Sequence, residues 1–455
     1  MRLISKLLNI LAVFLLVTPS IIVCSQPKLM QMSDFIMDFY TVGAMMASGQ
    51  GAGIYPPAGS ESFFNAPFDN FCKQLLPYLT KESVAIYMYS PLLALLFSPF
   101  SVLTPPVAMI VFQILCIIAL LFVGFLLCGR DWKKALSVVC MGALFCPVFH
   151  TLLIGQLGIV FGLVPLALAY FCLLKNRHML AGLAFALLAL KPQYMPTALL
   201  VSGALFLSGK PKATVGLIFG LFGFAAINVI TCGQGLFIAW WHNFKMADAI
   251  YAKEVYKFGE YLVVCLPAVL LQFFPHAVRE AVKLPVYGLS ALIGLFALWR
   301  STLLLRLALA QDKLDGTKLH FKQAIGLVFC LGLIVLTLVV PHFLFYDLCA
   351  FVLLARIAFQ DFYPPAIGHP LRILRAAIWW SCNIFFLLFM LTPVAELKQY
   401  FPLVLVGLFA YFFYALILQM RDFQKNTGRH VSSSGLLDAG NANANAPGDG
   451  VADGE

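Results

Sequence analysis

The sequence predicts an all-α polytopic membrane protein in which about 10–13 helices cross the bilayer, each crossing needing roughly 20 apolar residues. Composition is the first reason: 62% of the 455 residues are hydrophobic and only 11% are charged. A soluble globular protein carries about 25% charged residues. The second reason is a series of apolar runs separated by short polar segments. Lipid therefore has to be the solvent for much of the chain.

The apolar runs begin close to the N-terminus and continue almost to the C-terminus. They cover residues 7–23, 90–103, 107–128, 135–153, 158–174, 179–207, 213–232, 284–304, 324–340, 348–359, 376–392 and 401–418. Arg2 and Lys6 precede the first run and no small-x-small cleavage site follows it. We therefore expect an uncleaved first helix with a cytoplasmic N-terminus.

Two long polar segments are expected to form outer loops with juxtamembrane helices. They cover residues of about 25–89 and 233–283. The second is rich in aromatic residues, which are typical of a membrane interface. We expect residues 1–426 to form one transmembrane domain. Residues 427–455, rich in Gly, Ala, Asn and Asp, are expected to form a disordered cytoplasmic tail.

Basic residues lie in short clusters between the apolar runs. The clusters are Arg130, Lys133 and Lys134; Lys175 and Arg177; Lys210 and Lys212; Arg372 and Arg375; and Arg421, Lys425 and Arg429. Cytoplasmic retention of Lys and Arg produces such clusters. The formal net charge of +10 therefore reflects topology, and we expect no nucleic-acid partner.

The positive-inside rule leaves two arrangements open. In one, the segment 90–103 is re-entrant and the run 179–207 is two short helices bent at Pro192, which keeps the basic clusters inside. In the other, the segment 90–103 crosses fully and the run 179–207 is one long helix.

Two carboxylates follow the first apolar run. Asp34 and Asp38 are four residues apart and share a face if the segment is helical. A carboxylate beside a membrane-facing cavity can take the proton from a hydroxyl group as its oxygen attacks a sugar carbon. The alternative is a solvated loop carboxylate, or a helix cap at Asp34.

Three further sets of residues are candidates for binding. Lys191 is an isolated charge in an apolar run, followed by Pro192 and Gln193; it either holds a phosphate or extends to the interface. His342, Tyr346 and Asp347 follow another run. Either His342 and Asp347 bind a lipid phosphate, or His342 tunes a nearby carboxylate; the alternative is an interfacial His-Tyr pair with Asp347 capping the next helix. Gln156 lies between two glycines, which by itself is typical of a tight turn.

In this order, the motifs resemble those of glycosyltransferase family 87, the polyprenyl-phosphate-sugar-dependent transferases of the GT-C superclass. The resemblance covers roughly residues 30–350 and rests on these positions: Asp34-Phe35, Tyr40, Gly43, Gly49, Tyr55, Tyr89-Ser90-Pro91-Leu92, Phe97-Ser98-Pro99, Gly155-Gln156, Ala181-Gly182, Lys191-Pro192-Gln193, His342 and Tyr346-Asp347. Ser90 stands where the family often has proline, and the spacing from Asp34 to Gly43 is about one residue longer than in the family.

The resemblance implies a GT-C-like helical bundle around a cavity that opens to the periplasm, in the cell inner membrane. It implies inverting, metal-independent transfer of a mannose-like hexose from a polyprenyl-phosphate donor to a glycan or lipid acceptor, without a cofactor. Asp34 would be the general base, or Asp38 in its place, with His342 as its partner or as a phosphate contact.

For substrate binding, the resemblance implies that Lys191 and Gln193 line the donor site and that Tyr346 and Asp347 line the cavity wall. We add Gln156, Tyr40 and Tyr89 as further candidates. The 12 cysteines show no metal-ligand spacing, so we expect no metal site.

Two other functions compete with this one. The first is a transporter or flippase of a lipid-linked or small anionic substrate, for which polar groups near mid-membrane and duplicated halves are expected. The sequence shows no obvious internal repeat, and its candidates lie at one face. The second is an inactive assembly subunit, in which substitution near Asp34 would be tolerated.

Overall fold

The computed structural model describes residues 2–26, 31, 33–57, 65–77, 87–129, 131–251, 262–398 and 400–444. Parts of both predicted outer loops and the last residues of the predicted tail lie outside these ranges. The described residues are almost entirely helical, with a single isolated β-bridge between Val263 and Leu344. The predicted all-α class is therefore confirmed.

Nineteen α-helices follow one another along the described chain. They are α1 (Arg2–Ser25), α2 (Thr41–Ala47), α3 (Ala66–Leu75), α4 (Pro91–Phe97), α5 (Pro105–Leu127), α6 (Trp132–Ala143), α7 (Cys146–Ile154), α8 (Val164–Leu174), α9 (His178–Ala186), α10 (Met195–Leu207), α11 (Lys212–Cys232), α12 (Gln234–Tyr251), α13 (Leu266–Gln272), α14 (His276–Asp315), α15 (Leu319–Val339), α16 (Phe351–Ile357), α17 (Pro365–Leu391), α18 (Ala395–Lys398) and α19 (Phe401–Ala444).

Shorter helical segments connect several of these helices. Two are π-helices, Phe35–Tyr40 and Gly158–Leu163. Five are 3₁₀ helices: Gly51–Gly53, Ser98–Val102, Leu187–Leu190, Pro192–Tyr194 and Phe345–Ala350.

Six described helices are long and apolar enough to cross a membrane: α5, α11, α14, α15, α17 and α19. The pair α6 and α7 also qualifies as one span, bent by 77°. Five shorter apolar helices have 10 to 17 residues; they include Leu7–Ile22, which is part of α1, and the segments Gly158–Leu174 and His178–Leu190. The chain is a polytopic membrane protein, while the predicted number of crossings stays a prediction.

The segment 90–103 is too short to cross a bilayer. Helix α4 has seven residues, and a 3₁₀ helix of five residues carries the chain only to Val102. Together they span about 20 Å, against the ~30 Å thickness of the hydrocarbon core. This length favours the re-entrant alternative.

The run 179–207 is broken in its middle. Helix α9 and its 3₁₀ extension end at Leu190, Lys191 is extended with φ −140° and ψ 80°, and a new helical segment starts at Pro192. Proline lacks an N–H and pushes the preceding residue out of the helical region. The structure therefore has two short helices here, which is the arrangement that keeps the basic clusters on one side.

Basic residues collect where several helices end. An Nη atom of Arg306 donates to the Leu207 carbonyl oxygen at 2.7 Å, and an Nη atom of Arg356 donates to the Leu127 carbonyl oxygen at 3.4 Å. We call this the basic end of the bundle; it includes Lys133, Lys134, Lys210, Lys212, Arg306, Arg356, Arg372 and Arg375.

The opposite end is held together by outer-loop segments. The side-chain amide of Asn243 donates to the Tyr87 carbonyl oxygen at 2.9 Å, and the Trp240 indole donates to the Met88 carbonyl oxygen at 3.1 Å. The Val264 N–H donates to the Phe343 carbonyl oxygen at 2.7 Å. We call this the loop end.

Helix α15 is the central helix of the bundle. In its most apolar stretch of 18 residues, 89% of the residues are buried, against 17–39% in the corresponding stretches of the other five long apolar helices. At the C-terminus, the helical backbone of α19 extends past residue 427 and ends at Ala444. The predicted domain boundary is thus not marked by a helix end, and the disordered tail stays a prediction.

Candidate active site

Three breaks in the helical bundle meet at one place. The first follows α7 at Gly155, the second lies between α9 and α10 at Lys191, and the third lies between α15 and α16. Each break carries one polar side chain into the interior: Gln156, Lys191 and Asp347, all buried. Interrupted helices at membrane depth occur where protein or a cavity satisfies the freed polar groups.

A continuous chain of polar contacts joins these residues to Asp34. Lys191 Nζ lies 2.9 Å from Asp347 Oδ1 and donates to Gln156 Oε1 at 3.0 Å. Gln156 Nε2 in turn donates to Asp34 Oδ2. The side chains of Lys191 and Asp347 are 0% and 1% exposed, whereas Asp34 is partly exposed. The chain thus runs from a buried ion pair to a partly exposed aspartate.

Two aromatic rings enclose the lysine ammonium. Lys191 Nζ lies 5.2 Å from the centre of the Tyr346 ring and 5.8 Å from that of the Tyr89 ring. Both distances are within the range of cation–π attraction. Together with Asp347 and Gln156, these rings surround the ammonium on several sides.

The turn at Gly155 brings Gln156 to Asp34. Gly155 has a φ of +73°, and a Cβ placed on it would lie 2.3 Å from Phe35 Cβ. Only glycine combines this left-handed conformation with so close an approach. The two contacting segments are therefore pressed together beside the Asp34–Gln156 hydrogen bond.

A π-helix begins next to each partner of that hydrogen bond. Phe35–Tyr40 starts directly after Asp34, and Gly158–Leu163 starts two residues after Gln156. π-Helical turns are rare and frequently occur at functional sites.

Asp347 is fixed by two further hydrogen bonds. Its Oδ2 accepts from the Leu344 N–H at 3.2 Å, and its carbonyl oxygen accepts from the Tyr194 hydroxyl at 2.7 Å. A Cβ at Gly162 would lie 2.2 Å from the Tyr194 ring, so the glycine makes room for the tyrosine. Sequence reasoning missed Tyr194; the available signal was a tyrosine directly after Lys191-Pro192-Gln193.

Asp38 lies close to Tyr89. It is buried on the π-helix, and its charge acts on Cys72, Tyr87 and Tyr89. Burial raises the pKa of the Cys72 thiol to about 12, and Asp38 contributes to this rise. Burial likewise raises the pKa of the Tyr89 hydroxyl. The positive charge of Lys191 opposes this rise, whereas the negative charges of Asp347, Asp34 and Asp38 add to it. Tyr89 is therefore close both to the polar chain and to Asp38.

Three other predicted site residues lie on neighbouring segments. The Tyr40 hydroxyl donates to the Leu103 carbonyl oxygen at 2.7 Å. Gln193 lies on the 3₁₀ helix beside Lys191, and its buried Oε1 has no hydrogen-bond partner among the described residues. His342 lies on the segment that pairs with residues 263–265. Their predicted roles stay predictions.

The model of glycosyltransferase family 87 matches residues 87–316, just over half of the chain. This chain belongs to glycosyltransferase family 87. The protein is therefore an enzyme, a membrane glycosyltransferase that uses a sugar donor and an acceptor. Membership of this family argues against the transporter alternative. Neither the curated proteins nor the solved structures give a match to the chain.

The matched range of this family 87 transferase contains Tyr89, Gln156 and Lys191, while Asp34 and Asp347 lie outside it. The polar chain therefore connects the matched part to both flanking parts. Among the described residues, no three His, Cys, Asp or Glu side chains are grouped as a metal site requires.

Proposed function

We propose that this membrane glycosyltransferase transfers a mannose-like hexose from a polyprenyl-phosphate donor to a glycan or lipid acceptor on the periplasmic face of the cell inner membrane. The observation that carries the proposal is the polar chain from the buried Lys191–Asp347 pair through Gln156 to the partly exposed Asp34. Such a chain holds one carboxylate in a fixed position beside an aromatic-lined interior.

The orientation is supported by the distribution of charge. Lys and Arg accumulate at the basic end, which we place in the cytoplasm. The segments that lead into the site, residues 87–89 and 340–347, lie at the loop end. A site that opens at that end faces the periplasm.

In the proposed reaction Asp34 acts as the general base. A hydroxyl oxygen of the acceptor attacks the anomeric carbon, its proton passes to the Asp34 carboxylate, and the bond from that carbon to the lipid phosphate oxygen breaks. The phosphate leaves with the electron pair, and the configuration at the carbon inverts. General-base assistance contributes roughly 10²–10⁴-fold to such steps. Asp38, also beside Tyr89, remains the alternative base.

We assign Lys191 a positioning role instead of the phosphate contact expected from the sequence. Its ammonium already meets the Asp347 carboxylate, the Gln156 amide oxygen and two rings, and its side chain has no exposed surface. By holding Gln156 Oε1, Lys191 orients the other end of the amide toward Asp34. The donor phosphate is then left to His342 and Gln193, and the sugar to Tyr89 and Tyr346.

The proposal is tested by supplying the purified protein in detergent with a panel of polyprenyl-phosphate hexoses labelled in the sugar. We expect the label of the mannose-type donor to leave the lipid in the presence of a glycan or lipid acceptor, with inverted configuration in the product. If no polyprenyl-phosphate donor loses its sugar while a nucleotide-sugar does, the proposed donor class is wrong.

A further inference from the structure

The basic end carries a cluster of three arginines that the proposed reaction does not use. Arg356 donates to the Phe359 carbonyl oxygen at 2.9 Å. The guanidinium carbons of Arg375 and Arg372 lie 5.1 Å and 5.9 Å from the Phe359 ring centre. The three positive charges therefore surround one residue.

The cluster has no acidic counterpart in the part of the chain that the structure describes. None of the ion pairs found there includes Arg356, Arg372 or Arg375, and Asp361, the acid nearest in sequence, pairs with none of them. Three like charges brought together without an anion repel one another.

Burial adds to the need for an anion. Arg375 is half-buried, lies 5.2 Å from the Trp379 ring centre, and directs one Nη atom at the Met141 sulfur at 3.4 Å. The Nε atoms of Arg375 and Arg356 are buried without a hydrogen-bond partner in the described residues. Ring faces and a thioether replace only part of the solvation that a guanidinium loses.

The position of the cluster indicates which anion fits. Arg372 and Arg375 lie 19 and 16 residues before the end of α17 at Leu391, which is close to the roughly 20 residues of one membrane crossing. Phe359 and Arg372 are exposed, so the cluster is open to the surface at the level of the lipid headgroups. Basic pockets between transmembrane helices on the cytoplasmic side bind the phosphates of anionic lipids.

We propose that Arg356, Arg372 and Arg375 form a binding site for the phosphate group of an anionic phospholipid at the end of the bundle opposite the active site. The guanidinium groups contact the phosphate oxygens, and Phe359 and Trp379 lie beside the upper acyl chain. This site is independent of the transfer reaction proposed above.

The test is native mass spectrometry of the detergent-purified full chain titrated with phosphatidylglycerol, with phosphatidylcholine, and with inorganic phosphate. We expect preferential binding of phosphatidylglycerol, weakened about fivefold in Arg372→Gln and about thirtyfold in Arg372→Gln/Arg375→Gln. Arg421→Gln, an exposed arginine on the last helix, is the matched control and should bind like the wild type.

Three outcomes would overturn the proposal. They are equal binding of both phospholipids, an equal loss in the Arg421 control, and inorganic phosphate that displaces the lipid at equal concentration. Because Arg375 is half-buried, its replacement can impair folding. The exposed Arg372→Gln variant alone must then show the fivefold loss, and wild-type affinity in that variant counts against the site.

Discussion

Replacing Lys191 by methionine would leave the Asp347 carboxylate buried and unpaired. The two side chains are 2.9 Å apart and essentially without exposed surface. Breaking such a pair by removing one partner costs about 3–5 kcal/mol of folding stability. Asp347→Asn should cost a similar amount because it leaves the ammonium uncompensated. Its amide oxygen still accepts from the Leu344 N–H, as Asp347 Oδ2 does in the wild type at 3.2 Å.

The double variant Lys191→Met/Asp347→Asn contains neither charge. Replacing both members of a buried ion pair is often close to neutral, so we expect it to unfold near the wild-type temperature and above either single variant. The interaction free energy from this double-mutant cycle should be at least about 2 kcal/mol. The measurement is thermal unfolding in detergent, monitored as the loss of the monodisperse peak in size-exclusion chromatography.

Kinetics of the same variants separates the two possible roles of Lys191. A direct contact to the donor phosphate is worth about 1.5–3 kcal/mol, which would raise the donor KM about 10- to 150-fold in both variants that lack the lysine. As a positioning residue, Lys191 should instead affect kcat, with donor KM in the double variant close to the wild-type value. A donor KM that rises equally in Lys191→Met and in the double variant would refute the positioning role.

Two other predictions concern the turn at the site and the orientation of the bundle. Gly155→Ala should reduce transfer about 10²-fold, because its Cβ would displace Phe35 and an error of about 1 Å at the site is that costly. Gly209 has a similar left-handed φ but no neighbour within 4 Å of an added Cβ, so Gly209→Ala should lose stability without losing specific activity. Equal specific activities of Gly155→Ala and Gly209→Ala would contradict this. In variants that keep one cysteine each, a membrane-impermeant maleimide should label Cys232 but not Cys128 in intact spheroplasts, and the reverse would invert the proposed topology.

Several features of the fold follow directly from the sequence. Low charge and repeated apolar runs specify a polytopic helical protein, and the break at Lys191 follows from Pro192, which cannot continue the hydrogen-bonding pattern of α9. Pro147 explains the bend between α6 and α7 in the same way, because in one continuous helix it could not donate to the Ala143 carbonyl oxygen and its ring would clash with that carbonyl. Helix α6 indeed ends at Ala143, and Pro147 lies in the first turn of α7.

Most residues of the site could be predicted from the sequence, but the ion pair and hydrogen bonds between them could not. Lys191 stood out as an isolated charge, and Asp347 was a candidate on similar grounds. That the two form an ion pair is a long-range contact between separate helix breaks, which periodicity does not encode. Gln156 gave only the signal of a turn, yet it joins the lysine to Asp34.

Tyr194 shows a different limit of sequence reasoning. An aromatic residue in an apolar run is most often part of the core, and Tyr194 is indeed fully buried. Its importance comes from the hydroxyl, which supports the backbone of Asp347, and from the space left by Gly162. Both depend on packing between segments far apart in sequence.

The central claim is that Asp34, held by Gln156, removes the proton from the acceptor. Its most direct test compares transfer from polyprenyl-phosphate mannose by Asp34→Asn and by Asp361→Asn, an exposed aspartate beyond α16. The account predicts that Asp34→Asn loses at least about 10²-fold in kcat while folding and inserting normally, and that Asp361→Asn remains fully active. Full activity in Asp34→Asn would contradict the account and would indicate that Asp38 is the general base.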